Sequence, residues 1–368
     1  MRLAVATKFA PKRVRVNLHR DLTIKSGCSR RFAECSSLGS AKLALSLLLV
    51  ICSSAAAEQH SDNSIKGAVN KSLKLIEKSA ARYIEERSCF TCHHQALPAM
   101  TFSLASIHGF EVNSTSRRAQ SDFTFGYFKQ RIDRIISGNG VPGGPYTAGY
   151  ALLSLQADSW PSDETTDALG SYLLQNQSKD GSWRIRTHRP PLEDSDFTAT
   201  ALSIRGLQLY PSKDRSEEID AAIENAAKWL IQTSTASQED RVFQLQGLDW
   251  SKADKENIEA AVDEILRCQN EDGGWSQLST MQSDAYATGQ SLVALHQAGK
   301  LATKHEGYQR GVRFLLESQG DDGSWFVETR SKPIQEYFES DFPHGKSQFI
   351  SISGTCWATM ALVLTIEM

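Results

Sequence analysis

The sequence predicts an all-α protein built from paired helices, arranged as a closed ring or an open solenoid. Three observations carry this. A seven-residue pattern recurs without gaps as QSKDGSW (Gln177 to Trp183), QNEDGGW (Gln269 to Trp275) and QGDDGSW (Gln319 to Trp325). Each copy follows one helical run, such as ALGSYLLQN or AAVDEILRC, and precedes another, such as DFTATALSIRGLQL or DAYATGQSLVALHQAG. No segment shows the alternation that marks a strand. Self-similarity at this scale is the signature of a repeat architecture whose unit is helix, tight turn, helix.

The chain begins with a segment to be set aside. AKLALSLLLVICSSAAAEQ has a basic residue, Lys42, an apolar stretch from Leu43 to Cys52 and small residues at Ala55–Ala57. That is the layout of a secretory signal, with cleavage expected after Ala57, and the apolar stretch is short for a membrane span. Residues 1–57 therefore read as a basic leader and signal peptide, and residues 58–368 as one exported domain, periplasmic or extracellular. Of the 40 Lys/Arg and 43 Asp/Glu in the chain, ten and two lie in the leader, so the remainder carries a net charge of −11. An acidic domain of this kind lacks the basic face that nucleic acid requires. It is also no polybasic membrane binder.

The first helix pair spans AARYIEERSCFTCHHQALPAMTFSLASIHGF, with C-x-x-C-H (Cys89, Cys92, His93) in the turn slot and His94 directly after. The second is RIDRIISGNGVPGGPYTAGYALLSLQ, joined by a Gly-rich turn. AAKWLIQTSTAS is a degenerate copy with Gln232 where the pattern's Gln belongs. Within the three full copies, Gly is expected in the left-handed position that closes the first helix. The Gln side chain is expected to bond backbone groups left free at helix ends. The Trp is expected to cover the junction with an apolar face. About six pairs fill residues 65–368.

Gln-x-x-Asp-Gly-Ser-Trp between paired helices resembles the QW repeat of squalene–hopene and oxidosqualene cyclases. Those belong to the α/α-toroid superfamily that also holds protein prenyltransferase β subunits. The resemblance covers roughly residues 75–365 and implies an (α/α)6 toroid of inner and outer helices. It also implies a chemistry, protonation of an alkene by the central Asp of D-x-D-D. The nearest match is Asp194-Ser195-Asp196-Phe197, with Asp196 in the acid's place and Phe197 replacing the last Asp. Against this, Ser195-Asp196 opens a helix, where such residues cap free N–H groups, and the pair recurs as Ser283-Asp284. The prenyltransferase zinc site has only Cys356 and His344 as remote counterparts, and no D-x-C motif.

C-x-x-C-H is the spacing that holds haem c, with thioethers to Cys89 and Cys92 and His93 on the iron. Met100 and His344 are candidates for the far ligand, with His188 and His108 behind them. Three other readings stay open: a Cys89–Cys92 disulfide, a redox dithiol, and a metal site using Cys89, Cys92, His93 or His94. Cys268 and Cys356 read as buried, inert thiols. Two turn slots are long, and long loops on a regular scaffold carry function. One holds Arg184, Arg186, His188 and Arg189; the other holds Arg330, Lys332, Tyr337, Glu339 and His344. They are the candidate pocket for an anionic small molecule or haem propionates. The expectation is thus an exported cyclase-like repeat protein with covalent haem c, active in electron transfer toward an unknown small molecule or redox partner. The alternatives are a terpene-cyclase-type isomerase using Asp196, and a non-catalytic scaffold with a Cys89–Cys92 bridge.

Overall fold

In the computed structural model, which describes residues 62–367, the seven-residue pattern folds the same way three times. The leader and signal segment expected over residues 1–57 lie outside the described residues. Gly181, Gly273 and Gly323 hold φ of +93°, +86° and +89°. A Cβ there would stand 2.3 Å from the carbonyl oxygen of Asn225, 2.6 Å from that of Arg310 and 2.7 Å from Lys71 Cβ. The glycines are left-handed as expected, but they do not close the preceding helices, which end at Gln175, Arg267 and Ser318. Each sits in a turn of its own, its N–H bonded to the carbonyl of Ser178, Asn270 or Gly320 at 2.9–3.0 Å. Glycine is needed because this turn is pressed onto the backbone of the next outer helix.

The Gln and Trp of the pattern are the fasteners. Nε2 of Gln177 donates to Gly181 O in its own turn at 2.9 Å and to Ala222 O of the neighbouring outer helix at 2.7 Å. Gln269 does the same with Gly273 and Gly307, and Gln319 with Gly323 and Ala68. Each indole N–H donates back to the helix it follows, to Leu173, Ile265 and Leu315 O at 2.7, 2.7 and 2.8 Å. Each Trp backbone N–H reaches forward to a threonine of the next helix: Thr200, Thr288 or Thr355. The three rings are fully buried. One turn therefore binds three helices, with its polar groups satisfied in the process.

These fasteners assemble two concentric rings. The inner ring is α2 (Leu97–Ile107), α5 (Pro145–Ala157), α7 (Asp196–Leu209), α9 (Gln238–Trp250), α11 (Ala285–Gln297) and α13 (Gln348–Val363). The outer ring is α1 (Asp62–Glu86), α3 (Ser114–Lys129), α6 (Glu164–Gln175), α8 (Ser216–Gln232), α10 (Lys255–Arg267) and α12 (Glu306–Ser318), with short α4 (Ile132–Ile136) after α3. Each inner helix packs on the next, and α13 packs on α2, closing the circle. Each outer helix lies over two inner ones, as α6 does over α5 and α7, and α1 over α13 and α2. This is the (α/α)6 toroid.

Sequence sorts the two rings. The inner ring is clearest in two helices: α13 is buried from Ile350 through Val363, and α11 from Ala285 through Leu295. Helices that are apolar all round belong inside. Gly289 shows how close they come, since a Cβ there would stand 2.5 Å from Ala358 N. Outer helices bury one stripe; α10 buries only Ala261 and Ile265. Gln232 of the degenerate copy is exposed at the end of α8. The helix-end bonds there come from Gln244 of α9, which donates to Leu230 O and Thr233 O at 2.7 and 3.2 Å. No helix among the described residues is long and apolar enough to cross a membrane.

Candidate functional site

Because inner helices all run one way, every outer-to-inner connection gathers at one mouth of the ring. That mouth carries the C-x-x-C-H stretch, the loop over residues 184–195 and the loop over residues 326–347. Two cavities open beneath the loops, and Pro191 lines both.

The first cavity is about 280 Å³ and is lined by Ser195, Glu239, Gln277, Tyr286, Gln290 and Arg330 among others. Glu239 is the second residue of α9. Ser237 caps that helix by accepting the N–H of Asp240, and the capping turn directs Glu239 inward. Its carboxyl is buried and accepts hydrogen bonds from Thr198 and Tyr286, each at 2.9 Å. Burial pushes its pKa up to about 8, so it holds its proton at neutral pH. Gln290 faces the Glu239 carboxyl and, with Thr198 and Tyr286, works against the rise, while the Tyr150 hydroxyl nearby is buried without a hydrogen-bond partner. Unpaired polar atoms in a dry interior are costly, and they mark a place where a ligand or water completes the bonding. Asp284, beside Gln277 and Arg330, is also pushed up by burial, to about 6.

The second cavity, about 370 Å³, is lined by Tyr83, Cys92, His93, Phe338 and Phe349, with Arg189, Lys332 and Lys346 at its edges. Here C-x-x-C-H leads into a π-helical turn, Cys92–Ala96, between α1 and α2. Thr91 caps the turn by accepting His94 N–H, and Gln95 Oε1 accepts both the N–H and the hydroxyl of Thr91 at 2.9 Å. Cys89 is half-buried beside the Tyr83 hydroxyl at 3.1 Å; Cys92 is buried and accepts from Tyr146 at 3.2 Å. Both are free thiols in this structure, and burial pushes Cys92 up to about 12. His93 packs on Phe349 and is lowered to about 3 by burial and, secondarily, by the Arg189 charge. His94 is wholly buried, stacked on Tyr83 at 4.8 Å, and lowered well below its ordinary value by burial.

The remaining predicted residues scatter around this mouth. Asp196 is ion-paired with Arg184 at 2.6 Å and accepts the Ile185 N–H at 2.8 Å. Ser351 fills the same slot in the last repeat, accepting the Val327 N–H at 3.1 Å, each two residues past the motif Trp. Arg184 also pairs with Asp180, Arg186 donates to Asn176, and His188 meets Asp194, all along an open groove over α7. Arg330 donates to Gln277 and so faces the Glu239 cavity. Lys332 and Tyr337 line the His93 cavity, while Glu339 is exposed and accepts from Tyr337. Met100 does not share that cavity. It lines a third one, about 110 Å³, with Tyr150, Trp357 and Met360. His344 bonds Ser324 of the last repeat turn at 2.8 Å, and His108 bonds Ile366 O. No cluster of three or more His, Cys, Asp or Glu suited to a metal ion occurs among the described residues. Glu239 had no signal in the sequence reading beyond Ser237-x-x-Asp240, a capping box that places it in a first turn.

No protein-family model matches the chain. Among solved structures, it is similar to the type II terpene cyclase MstE from Scytonema, at 16% identity, with 82% of this chain and 99% of that one covered and a TM-score of 0.55. A variant of that enzyme bound to geranylgeranyl dihydroxybenzoate gives 15% identity, 83% and 98% coverage and a TM-score of 0.57. A possible member of the GH105 family from Salmonella enterica gives 11% identity, 83% and 94% coverage and 0.54. At these identities the likeness is one of fold.

Proposed function

We propose that the chain is a cyclase-type isomerase working by proton transfer on an apolar, unsaturated, chain-like molecule at the loop-bearing mouth, with Glu239 as the acid. The observation that carries this is a buried carboxyl, its pKa pushed up to about 8 by burial, lining a cavity at the loop-bearing mouth. Protonating an alkene needs such a group, since an ionised carboxylate has no proton to give. The toroid shared with MstE, whose solved complexes hold geranylgeranyl dihydroxybenzoate, supports the substrate class. Asp196 is the other candidate acid. Its ion pair with Arg184 and its bond to the Ile185 N–H tie it into the turn and suit a structural role.

The test is incubation with geranylgeranyl dihydroxybenzoate and a panel of free polyprenyl chains, followed by mass spectrometry for an isomeric product. Glu239→Gln is expected to lower turnover by ~10²-fold or more, with Asp196→Asn close to wild type. The reverse pattern would move the acid to Asp196. Absence of any isomer from the wild-type protein would overturn the reading.

A second reading keeps covalent haem c, redox function and export for the C-x-x-C-H stretch. What favours it is that Cys92 and His93 share a cavity with Arg189, Lys332 and Lys346, cations of the kind that pair with propionates. Cys89 adjoins the cavity through Tyr83. Haem would supply one-electron chemistry. A pyridine haemochrome band and a covalent mass increment, both lost in Cys92→Ala, are its expected marks in protein exported from a haem-attaching host.

A further inference from the structure

The inner ring encloses an axis, and the half of that axis away from the loops is not filled. A cavity of about 110 Å³ lies there, and all six inner helices contribute to its wall. On α9 the lining residues are Phe243, Gln246 and Trp250, three and four apart and so on one helical face. On α11 they are Val293 and Gln297, with the same spacing. Trp250 and Gln297 are the last residues of α9 and α11. The cavity therefore belongs to the mouth opposite the loops, where each inner helix hands on to an outer one. Gln297 is exposed and Trp250 half-buried at the rim, while Phe243 and Trp357, edge to face at 6.5 Å, are buried deeper along the axis. The rim is fixed in place. The Arg205 guanidinium stands over the Trp250 ring at 5.8 Å, and Gln208 donates to Trp250 O at 2.6 Å.

Gln246 is the residue in this wall that packing does not explain. It is only 5% exposed, and its amide has no hydrogen-bond partner among the described residues. Other buried glutamines at the heads of inner helices are paired: Gln238 donates to Ser291 and Gln348 to Phe338 O, each at 2.9 Å. An unpaired buried amide costs about 1–3 kcal/mol, and a leucine or methionine of the same size would carry no such cost. The Tyr150 hydroxyl and the Trp357 indole N–H, on two more of the lining residues, are buried and unpaired as well. Most of the remaining wall is hydrocarbon, with Leu153, Leu202, Val293 and Met360 among it. Filling the space with water would set several molecules against apolar surface.

We infer that this far-mouth cavity is a binding site for a small alcohol with an apolar body, its hydroxyl seated on the Gln246 amide. The amide presents a donor and an acceptor, and a hydroxyl answers both: it accepts from Nε2–H and donates to Oε1. A ketone or ether leaves Oε1 unpaired. No charged side chain is among the lining residues, so an ion would enter uncompensated. The space is smaller than the ~150 Å³ cavity that takes benzene, which sets the body at about five carbons. The site goes beyond the isomerase reading and does not rest on it, since that reading stands on Glu239 at the opposite mouth.

Nitrogen-15 NMR of the indole N–H groups reads the site directly, because Trp250 and Trp357 line it while Trp183, Trp275 and Trp325 are sealed in the repeat turns. Titration of the full chain with 3-methylbutan-1-ol is expected to move the Trp250 and Trp357 signals along one saturable curve and to leave the other three in place. Gln246→Leu keeps the size of the side chain and removes the amide. It should weaken binding at least tenfold, with a melting temperature equal to or above that of the wild type, because an unpaired group is gone. Val293→Phe fills the space and keeps the amide, and should abolish the shifts. Shifts that never saturate in the wild-type protein would overturn the inference. So would wild-type affinity in either variant, or a melting temperature several degrees lower in Gln246→Leu, which would show the amide already satisfied without a ligand. Failure of the isomerase assay leaves each of these outcomes as it stands.

Discussion

Glu239 is an ordinary acid made unusual by where its helix begins. Its pKa is raised from 4.5 to about 8 by burial, and this has a cost that pH reveals. Between those two values the unfolded chain has released the proton and the folded protein still holds it. The unfolded state then binds fewer protons, so stability falls as pH rises through that window and levels off above it. Glu239→Gln removes the titration while keeping a donor and an acceptor for Tyr286 and Thr198. We therefore expect the wild-type melting temperature to decline between about pH 4.5 and pH 8, and the variant's decline to be shallower. Parallel profiles would show that Glu239 is ionised in the fold. The same residue marks the limit of sequence reading. In SQEDRV it looks like one of many surface acids, because an inward turn at the start of an inner helix is a property of the ring and not of the local pattern.

At the scale of the element, the turn that joins each helix pair was legible because its chemistry is local. Gln, Gly and Trp recur at fixed spacing, each with a job its side chain advertises. The partners were less legible. Gln177 bonds Ala222, and Trp183 bonds Thr200, across separations that no spacing rule announces. The threonines at 200, 288 and 355 were a repeated signal hidden by loops of different length between them and the Trp. The loops themselves carry no repeat, so the cavities they roof could be placed at a mouth but not given a shape. The turn also predicts a graded response to a single methyl group. Gly181→Ala combines a left-handed φ with a 2.3 Å approach to the Asn225 carbonyl and should destabilise by ~2 kcal/mol or more. Gly67→Ala, in an open helical position, should be neutral or mildly stabilising. Chemical denaturation of the two variants side by side would decide it, and equal effects would refute the account of the turn.

Over the whole molecule, the third copy of the turn differs from the others in what it holds. Gln177 and Gln269 fasten each outer helix to the next one along the chain, but Gln319 reaches Ala68 in α1. In the inner ring α13 packs on α2 in the same way. Interfaces between the two ends of the described chain are thus of the same kind as those within it, and unfolding should be a single cooperative event. Gln319→Ala should then lower the one transition seen by all probes, by ~1–3 kcal/mol for the carbonyls left unpaired. Early, separate melting of α1 in hydrogen exchange would show the seam to be weaker than its neighbours.

The seam has an arithmetical consequence as well. An open stack of repeats can gain or lose a member and remain a stack, shorter or longer by one. A circle joined by Gln319 and Ala68 cannot, because the angle each pair subtends is set by six of them. Excising α10 and α11 with their turn would leave an arc whose ends do not meet, and the remaining pairs would have to bend further or fail to close. Variation in this architecture is therefore pushed out of the count of repeats and into the loops at one mouth, where length is free.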